Sequence, residues 1–158
     1  MTEIVLKTLH VSSLIVWIGG MVFAHFFLRP SLAVLEPPQR LALMTAVLGR
    51  FFRVVTLAAP LAWLSGAGLI GQAAQAVEAT GGRLQLPLYW HLMAGGGTVM
   101  LGVYAWIRLV PYRALLAAVG SGNLPAGAAA LARVRGAVAF NLALGTAIVL
   151  IALLRWPA

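Results

Sequence analysis

The sequence predicts an all-α protein: an integral membrane four-helix bundle with one or two interfacial helices and both termini on the outer side. Three observations predict it. Four apolar runs, near 4–28, 51–72, 88–110 and 134–155, are each long enough to cross a membrane, since about 20 residues at 1.5 Å rise span a hydrocarbon core of roughly 30 Å. With 62% hydrophobic and 9% charged residues, little remains for a water-soluble domain, so residues 1–158 read as a single transmembrane domain. The arginines, finally, collect at one end. Loops 29–53 and 108–135 carry Arg29, Arg40, Arg50, Arg53, Arg108, Arg113, Arg133 and Arg135, against Lys7, Arg83 and Arg155 on the other side. The positive-inside rule makes those two loops cytoplasmic in a bacterial inner (cytoplasmic) membrane. It also accounts for the net charge of +8 without nucleic acid, because the charges form no basic face.

The first span opens without a basic n-region, and its apolar run is too long for a signal peptide core, so it reads as retained. Pro30 is expected to stop this helix, because proline cannot continue the hydrogen-bond ladder. Pro37-Pro38 suit a helix start. From Gln39 to Arg53 the pattern is amphipathic, which predicts a short helix on the membrane surface leading into span two. Span two holds Pro60, an expected kink, and the small run Ser65-Gly66-Ala67-Gly68, which permits close helix approach. Residues 73–87 read as a loop. Span three opens on Tyr89-Trp90, an aromatic interface signal, and soon reaches Gly95-Gly96-Gly97. That triplet reads either as a close helix crossing or as space for a flat macrocycle. Residues 111–135 form a basic connection with a turn at Gly120-Ser121-Gly122-Asn123. Pro125 then begins a helix that continues into span four, where Asn141 suits an interhelical hydrogen bond and Trp156 marks the final interface.

The chain has three histidines, and two lie on span one. At 100° per residue, His10, Leu14, Trp17, Met21 and His25 drift only about 60° around the helix. They form one stripe, with a histidine near each membrane surface about 22 Å apart, and the stripe is expected to face the functional site. His91 lies early in span three, which runs in the same direction as span one. His10 and His91 therefore share a depth near the outer face, where two imidazoles suit a metal ion or the two faces of a haem. Each also reads as an ordinary interfacial histidine. Met21 and His25, at i and i+4, suit Cu(I), whose soft character matches thioether and imidazole; solvated His25 and packed Met21 are the plain alternative. Met93 sits about 200° from His91 and does not share its face, whereas Thr98 does. Trp17 and Trp63 are deep and suit either a cofactor wall or the core.

Other chemistry is excluded. The chain has no cysteine and no aspartate, and its glutamates lie at the N-terminus or in loops. Disulfides, thiolate metal sites, paired carboxylates and hard-cation cages are thereby removed. No nucleotide, phosphate or hydrolase motif is present.

The run His10…Trp17-Ile18-Gly19-Gly20-Met21, with Ala24-His25-Phe26, Leu28-Arg29-Pro30, Leu35-Glu36-Pro37-Pro38-Gln39-Arg40 and Arg50-Phe51-Phe52-Arg53, resembles the copper resistance D family. His91-Leu92-Met93, Ala132-Arg133-Val134-Arg135 and Asn141-Leu142-Ala143-Leu144-Gly145 fit the same pattern, so the resemblance covers nearly the whole chain. It is narrowest to the short, four-span members. It implies copper uptake or tolerance at the inner membrane, with His10, Met21, His25, His91 and Met93 as contacts and a periplasmic copper carrier as partner. A second resemblance is to the four-span protoporphyrinogen oxidase family, which binds haem b. It rests on Lys7-Thr8-Leu9-His10, Trp17, Gly20, Arg135 and Asn141. In that family a lysine follows the span-three histidine, where here Leu92, Met93 and Ala94 stand.

Three functions follow as expectations. The first is a copper-binding membrane protein passing the ion from His10 and His91 along Met21 to His25. The second is a haem b protein with His10 and His91 as axial ligands, a haem-dependent oxidoreductase if it is an enzyme, exchanging electrons with a quinone or periplasmic partner. The third is a non-catalytic membrane partner or assembly factor, with the lipid bilayer and a second copy of the chain as its contacts.

Overall fold

The computed structural model describes residues 1–83 and 85–154, so Leu84, Arg155 and the Trp156 interface marker lie outside the described residues. Its elements are α1 (Thr2–Val22), a π-helical turn Phe23–Leu28, α2 (Arg29–Ser31), a 3₁₀ turn Leu32–Val34, α3 (Pro37–Glu78), α4 (Leu88–Leu109), α5 (Pro111–Gly120) and α6 (Leu124–Leu154). No strand occurs among the described residues. Four continuous helical stretches, 2–34, 37–78, 88–120 and 124–154, are long and apolar enough to cross a membrane. An even number of crossings brings residues 2 and 154 to the same end.

The surface is that of a membrane protein. Ile15 is 65% exposed, Leu57 75% and Leu153 75%, around the whole girth of the bundle. Water would penalise such a belt, whereas lipid tails solvate it. The core between the helices is narrow. Trp17 and Met21 of α1, Phe52 and Val55 of α3, Met100 and Tyr104 of α4, Leu115 of α5 and Val134 of α6 are buried in it. Small residues let the backbones close in. A Cβ on Gly20 would collide with the Phe51 ring, one on Gly127 would stand 2.6 Å from Leu41 Cδ2, and one on Gly145 would stand 2.9 Å from Met100 Cε. Polar links tie the same helices. Tyr104 Oη, Thr56 Oγ1 and the Phe52 carbonyl close a hydrogen-bonded triangle of 2.6 to 2.9 Å. Asn141 Nδ2 donates to the Met100 carbonyl at 3.1 Å, the interhelical bond expected of it.

The helices run further than hydropathy alone predicts. Pro30 does not stop the first helix. The backbone widens to π geometry ahead of it, with the Arg29 N–H donating to the Ala24 carbonyl five residues back. That wider turn carries the helix over the proline ring, which would otherwise strike the carbonyl one turn earlier. The helix ends only after Ser31, whose hydroxyl donates to the Phe27 carbonyl at 2.7 Å. Nor is 39–53 a separate surface helix. It forms the first third of α3, whose 42 residues extend about 63 Å, twice the hydrocarbon thickness. Leu41, Met44, Leu48 and Phe52 are buried against the bundle rather than facing lipid. Glu36 and Gln39 start this helix, the Glu36 N–H donating to Gln39 Oε1 at 3.4 Å. Its far end continues through Glu78, into the expected loop. Likewise Pro111–Gly120 is helical rather than a loop, its Tyr112 ring standing edge-on to Phe52 at 4.9 Å. The expected turn does fall at 121–123, where Gly122 adopts φ +69° and Asn123 Oδ1 accepts from the Ala126 N–H to start α6.

Candidate functional site: a cavity beside His10

At the end of the bundle holding both termini, α1, α3, α4 and α6 part around a cavity of about 360 Å³. His10, Trp17, Trp63, Met93, Gly97 and Thr98 are among its walls. The space has a local origin. Gly66 on α3 and Gly97 on α4 carry no side chain, and Ala62 and Ala94 add only methyl groups. The glycine triplet divides its labour here. A Cβ on Gly96 would stand 2.6 Å from Ile148 Cδ1, so Gly96 serves the α4–α6 crossing. A Cβ on Gly97 would meet nothing within 4 Å, so Gly97 opens the cavity.

Among the described residues, His10 and Tyr89 are the ionisable groups in the walls. The His10 Nδ1 lies 2.7 Å from the Ala62 carbonyl oxygen. A carbonyl only accepts, so Nδ1 carries the hydrogen. In the neutral ring Nε2 is then the bare nitrogen, and it has no hydrogen-bond partner among the described residues. Ser65 lies beside the pair: its hydroxyl, 2.6 Å from the Leu61 carbonyl, sits 3.0 Å from the Ala62 carbonyl and 3.4 Å from Nδ1. Gly66 fits against the imidazole, since a Cβ there would stand 3.0 Å from Cε1. Backbone-anchored Nδ1–H with a free Nε2 is the arrangement that orients a metal-ligating histidine.

The remaining walls are aromatic or aliphatic. Trp17 is buried at the inner end, edge-on to Tyr104 at 6.1 Å. Trp63, 43% exposed, closes the α3–α4 side by donating Nε1–H to Thr98 Oγ1 at 2.9 Å. Thr98 in turn donates to the Ala94 carbonyl.

The histidines and methionines singled out in the sequence are distributed over four places. His10 and Met93 line this cavity. His91 does not; it is exposed at the start of α4, its Nδ1 3.3 Å from the Pro87 carbonyl. Met21 is 1% exposed in the core. His25, within the π-helical turn, lines a separate cavity at the opposite, basic end. The stripe from His10 to His25 does face inward, but the core interrupts it. Among the described residues, no three His, Cys, Asp or Glu groups meet to hold a metal ion. Ala62, whose carbonyl sets the His10 ring, carried no signal in the sequence, and Gly66 was legible there only as a packing residue. No protein-family model, curated protein or solved structure matches the chain.

Proposed function

We propose that this chain is a multi-pass protein of a bacterial inner membrane that holds haem b beside His10, with loops 29–53 and 108–135 cytoplasmic and the cavity toward the outer face. The observation that carries this reading is the Ala62-anchored imidazole, whose Nε2 has no partner among the described residues and whose ring lines a roomy apolar cavity. The donor set fits the group. His10 would hold the iron through Nε2, and Met93, which lines the same cavity from the facing helix, would offer a thioether. A His/Met pair is thus favoured over the His10/His91 pair. About 360 Å³ lies at the small end of the 300–1,000 Å³ of typical ligand pockets, so it would enclose part of the macrocycle, whose apolar face the walls of Trp, Ile, Ala and Gly suit. When bound, haem supplies one-electron redox chemistry. The protein's part would be to orient Nε2 through Ala62 and to exclude water with Trp17 and Trp63.

Copper is the second reading, and Met93 favours it, since Cu(I) accepts imidazole and thioether together. A route for copper across the bilayer has less support. Met21 is sealed in the core, and His25 stands among Arg29, Arg40 and Arg135, whose charges repel a cation. The test is an absorption spectrum of detergent-purified protein, oxidised and dithionite-reduced, with metal analysis of the same sample after expression with haem and copper supplied. A Soret band with sharpened reduced bands supports haem. A colourless protein with stoichiometric copper overturns it in favour of copper. Absence of both overturns it in favour of a scaffold or assembly role.

A further inference from the structure

The basic end of the bundle carries a second cavity, of about 470 Å³, that the haem reading does not use. Arg29 of α2, Arg40 of α3 and Arg135 of α6 line it together with His25, over a floor that includes Met44 and Leu131. Sorting cations to one membrane face requires only that arginines occur in the loops. It does not require three of them, from three separate helices, to converge on one hollow. Convergence is unfavourable in itself: Arg135 is half-buried, and its charge is repelled by those of Arg29 and Arg40. No carboxylate among the described residues pairs with them. The one ion pair among the described residues joins Lys7 to Glu3 at the opposite end. Arg29 and Arg40 are exposed at the cavity mouth, whereas Arg50, Arg53, Arg113 and Arg133 are exposed away from it and Arg108 lies 5.1 Å over the Tyr112 ring.

The group is also partly fixed in place. Arg40 Nη2 donates to the carbonyls of Ala33 at 3.2 Å and Leu35 at 2.9 Å, which holds the guanidinium plane while leaving its other donors unspent. Planar guanidinium forks match the oxygens of a phosphate group. Beside the arginines the π-helical turn presents Phe23, Phe26 and Phe27, each at least 57% exposed. A charged head pocket thus adjoins an apolar outer wall, which is the shape of an amphiphile and not of a soluble anion.

We propose that Arg29, Arg40, Arg135 and His25 form a binding site for the phosphate headgroup of an anionic phospholipid, with its acyl chains running along the exposed phenylalanines. Clustered cations between membrane helices at the basic end are a recurring physical solution for such headgroups.

The experiment is native mass spectrometry of the full chain released from detergent, titrated with phosphatidylglycerol, with phosphatidylcholine and with inorganic phosphate. Phosphatidylglycerol is expected to bind at least about tenfold more tightly than phosphatidylcholine. Arg135→Gln and Arg29→Gln are each expected to reduce that preference about tenfold, and Arg135→Lys, which keeps the charge but loses the fork, to reduce it less. Arg133→Gln and Arg113→Gln, which remove equal charge outside the cavity, are expected to leave it unchanged. Equal losses in all the glutamine variants would overturn the proposal, since bulk charge would then be the cause. Inorganic phosphate displacing the lipid at equal concentration would overturn the lipid assignment and leave a site for free phosphate.

Discussion

Replacing Gly66 by alanine separates the His10 geometry from the stability of the fold. The new Cβ would stand 3.0 Å from His10 Cε1 and 3.2 Å from Nδ1. Carbon contacts settle near 3.5–4.0 Å, so the ring must retreat by about 0.5 Å. That stretches the 2.7 Å bond to Ala62 toward the long edge of hydrogen bonding. Two effects on stability nearly cancel. Alanine gains about 0.5–1 kcal/mol over glycine within a helix, and the weakened hydrogen bond gives back about 0.5–1.5 kcal/mol. Binding has no such compensation. Disturbing the group that orients a metal-ligating histidine lowers affinity about 10–100-fold, or about 1.4–2.8 kcal/mol. Gly71→Ala is the matched control, on the same helix with nothing within 4 Å of its Cβ. The assay is a haemin titration of apoprotein in detergent, followed at the Soret band, alongside thermal unfolding by circular dichroism. Gly66→Ala is expected to lose at least tenfold in affinity with its melting temperature little changed, and Gly71→Ala to lose nothing. Wild-type affinity in Gly66→Ala, or equal losses in both variants, would refute the reasoning.

Other substitutions probe other parts of the account. His91→Ala and His25→Ala should keep wild-type haem stoichiometry by pyridine haemochrome assay, because neither ring lines the His10 cavity. Gly96→Val should destabilise the detergent-solubilised protein by about 1–3 kcal/mol, read from its denaturant midpoint, since the Cβ would lie 2.6 Å from Ile148 Cδ1; Gly97→Ala, which meets open space, should not. Tyr104→Phe removes one hydroxyl from the triangle with Thr56 and the Phe52 carbonyl, at a cost of about 1 kcal/mol by the same midpoint. Asn141→Leu should cost only about 0.6 kcal/mol, because the bond to the Met100 carbonyl is lost together with a buried Oδ1 that has no partner among the described residues.

The four crossings were legible because a lipid-spanning helix must be apolar over about 20 residues, and few other segments are. Their ends were not legible. Leu41, Met44 and Leu48 have the spacing of a surface helix, and the same spacing serves a helix that stands upright against its neighbours. Pro30 signalled a stop, but a single π turn re-routes the ladder around it. The inward direction of the His10 stripe was legible because the period places two histidines on one face and an ionisable side chain is costly against lipid; Trp17 and Met21 of that stripe are buried. The azimuth of His91 was not. Span three is apolar on every side, so its period fixes which residues share a face and not which face meets the bundle. The Ala62 carbonyl is a backbone atom and leaves no mark in a sequence. The convergence of Arg29, Arg40 and Arg135 depends on how three helices pack, whereas their sequence positions disclose only a shared end.

Rescue of His10→Gly by imidazole tests whether the His10 imidazole is the haem ligand. The variant vacates the ring position beside Gly66 and Ala62 while keeping the other wall residues of the cavity. It is expected to purify without a Soret band and to regain one, with sharpened reduced bands, when haemin and millimolar imidazole are added together. A His10→Gly protein that carries haem with the wild-type spectrum, without imidazole, would contradict the assignment of Nε2 as the ligand.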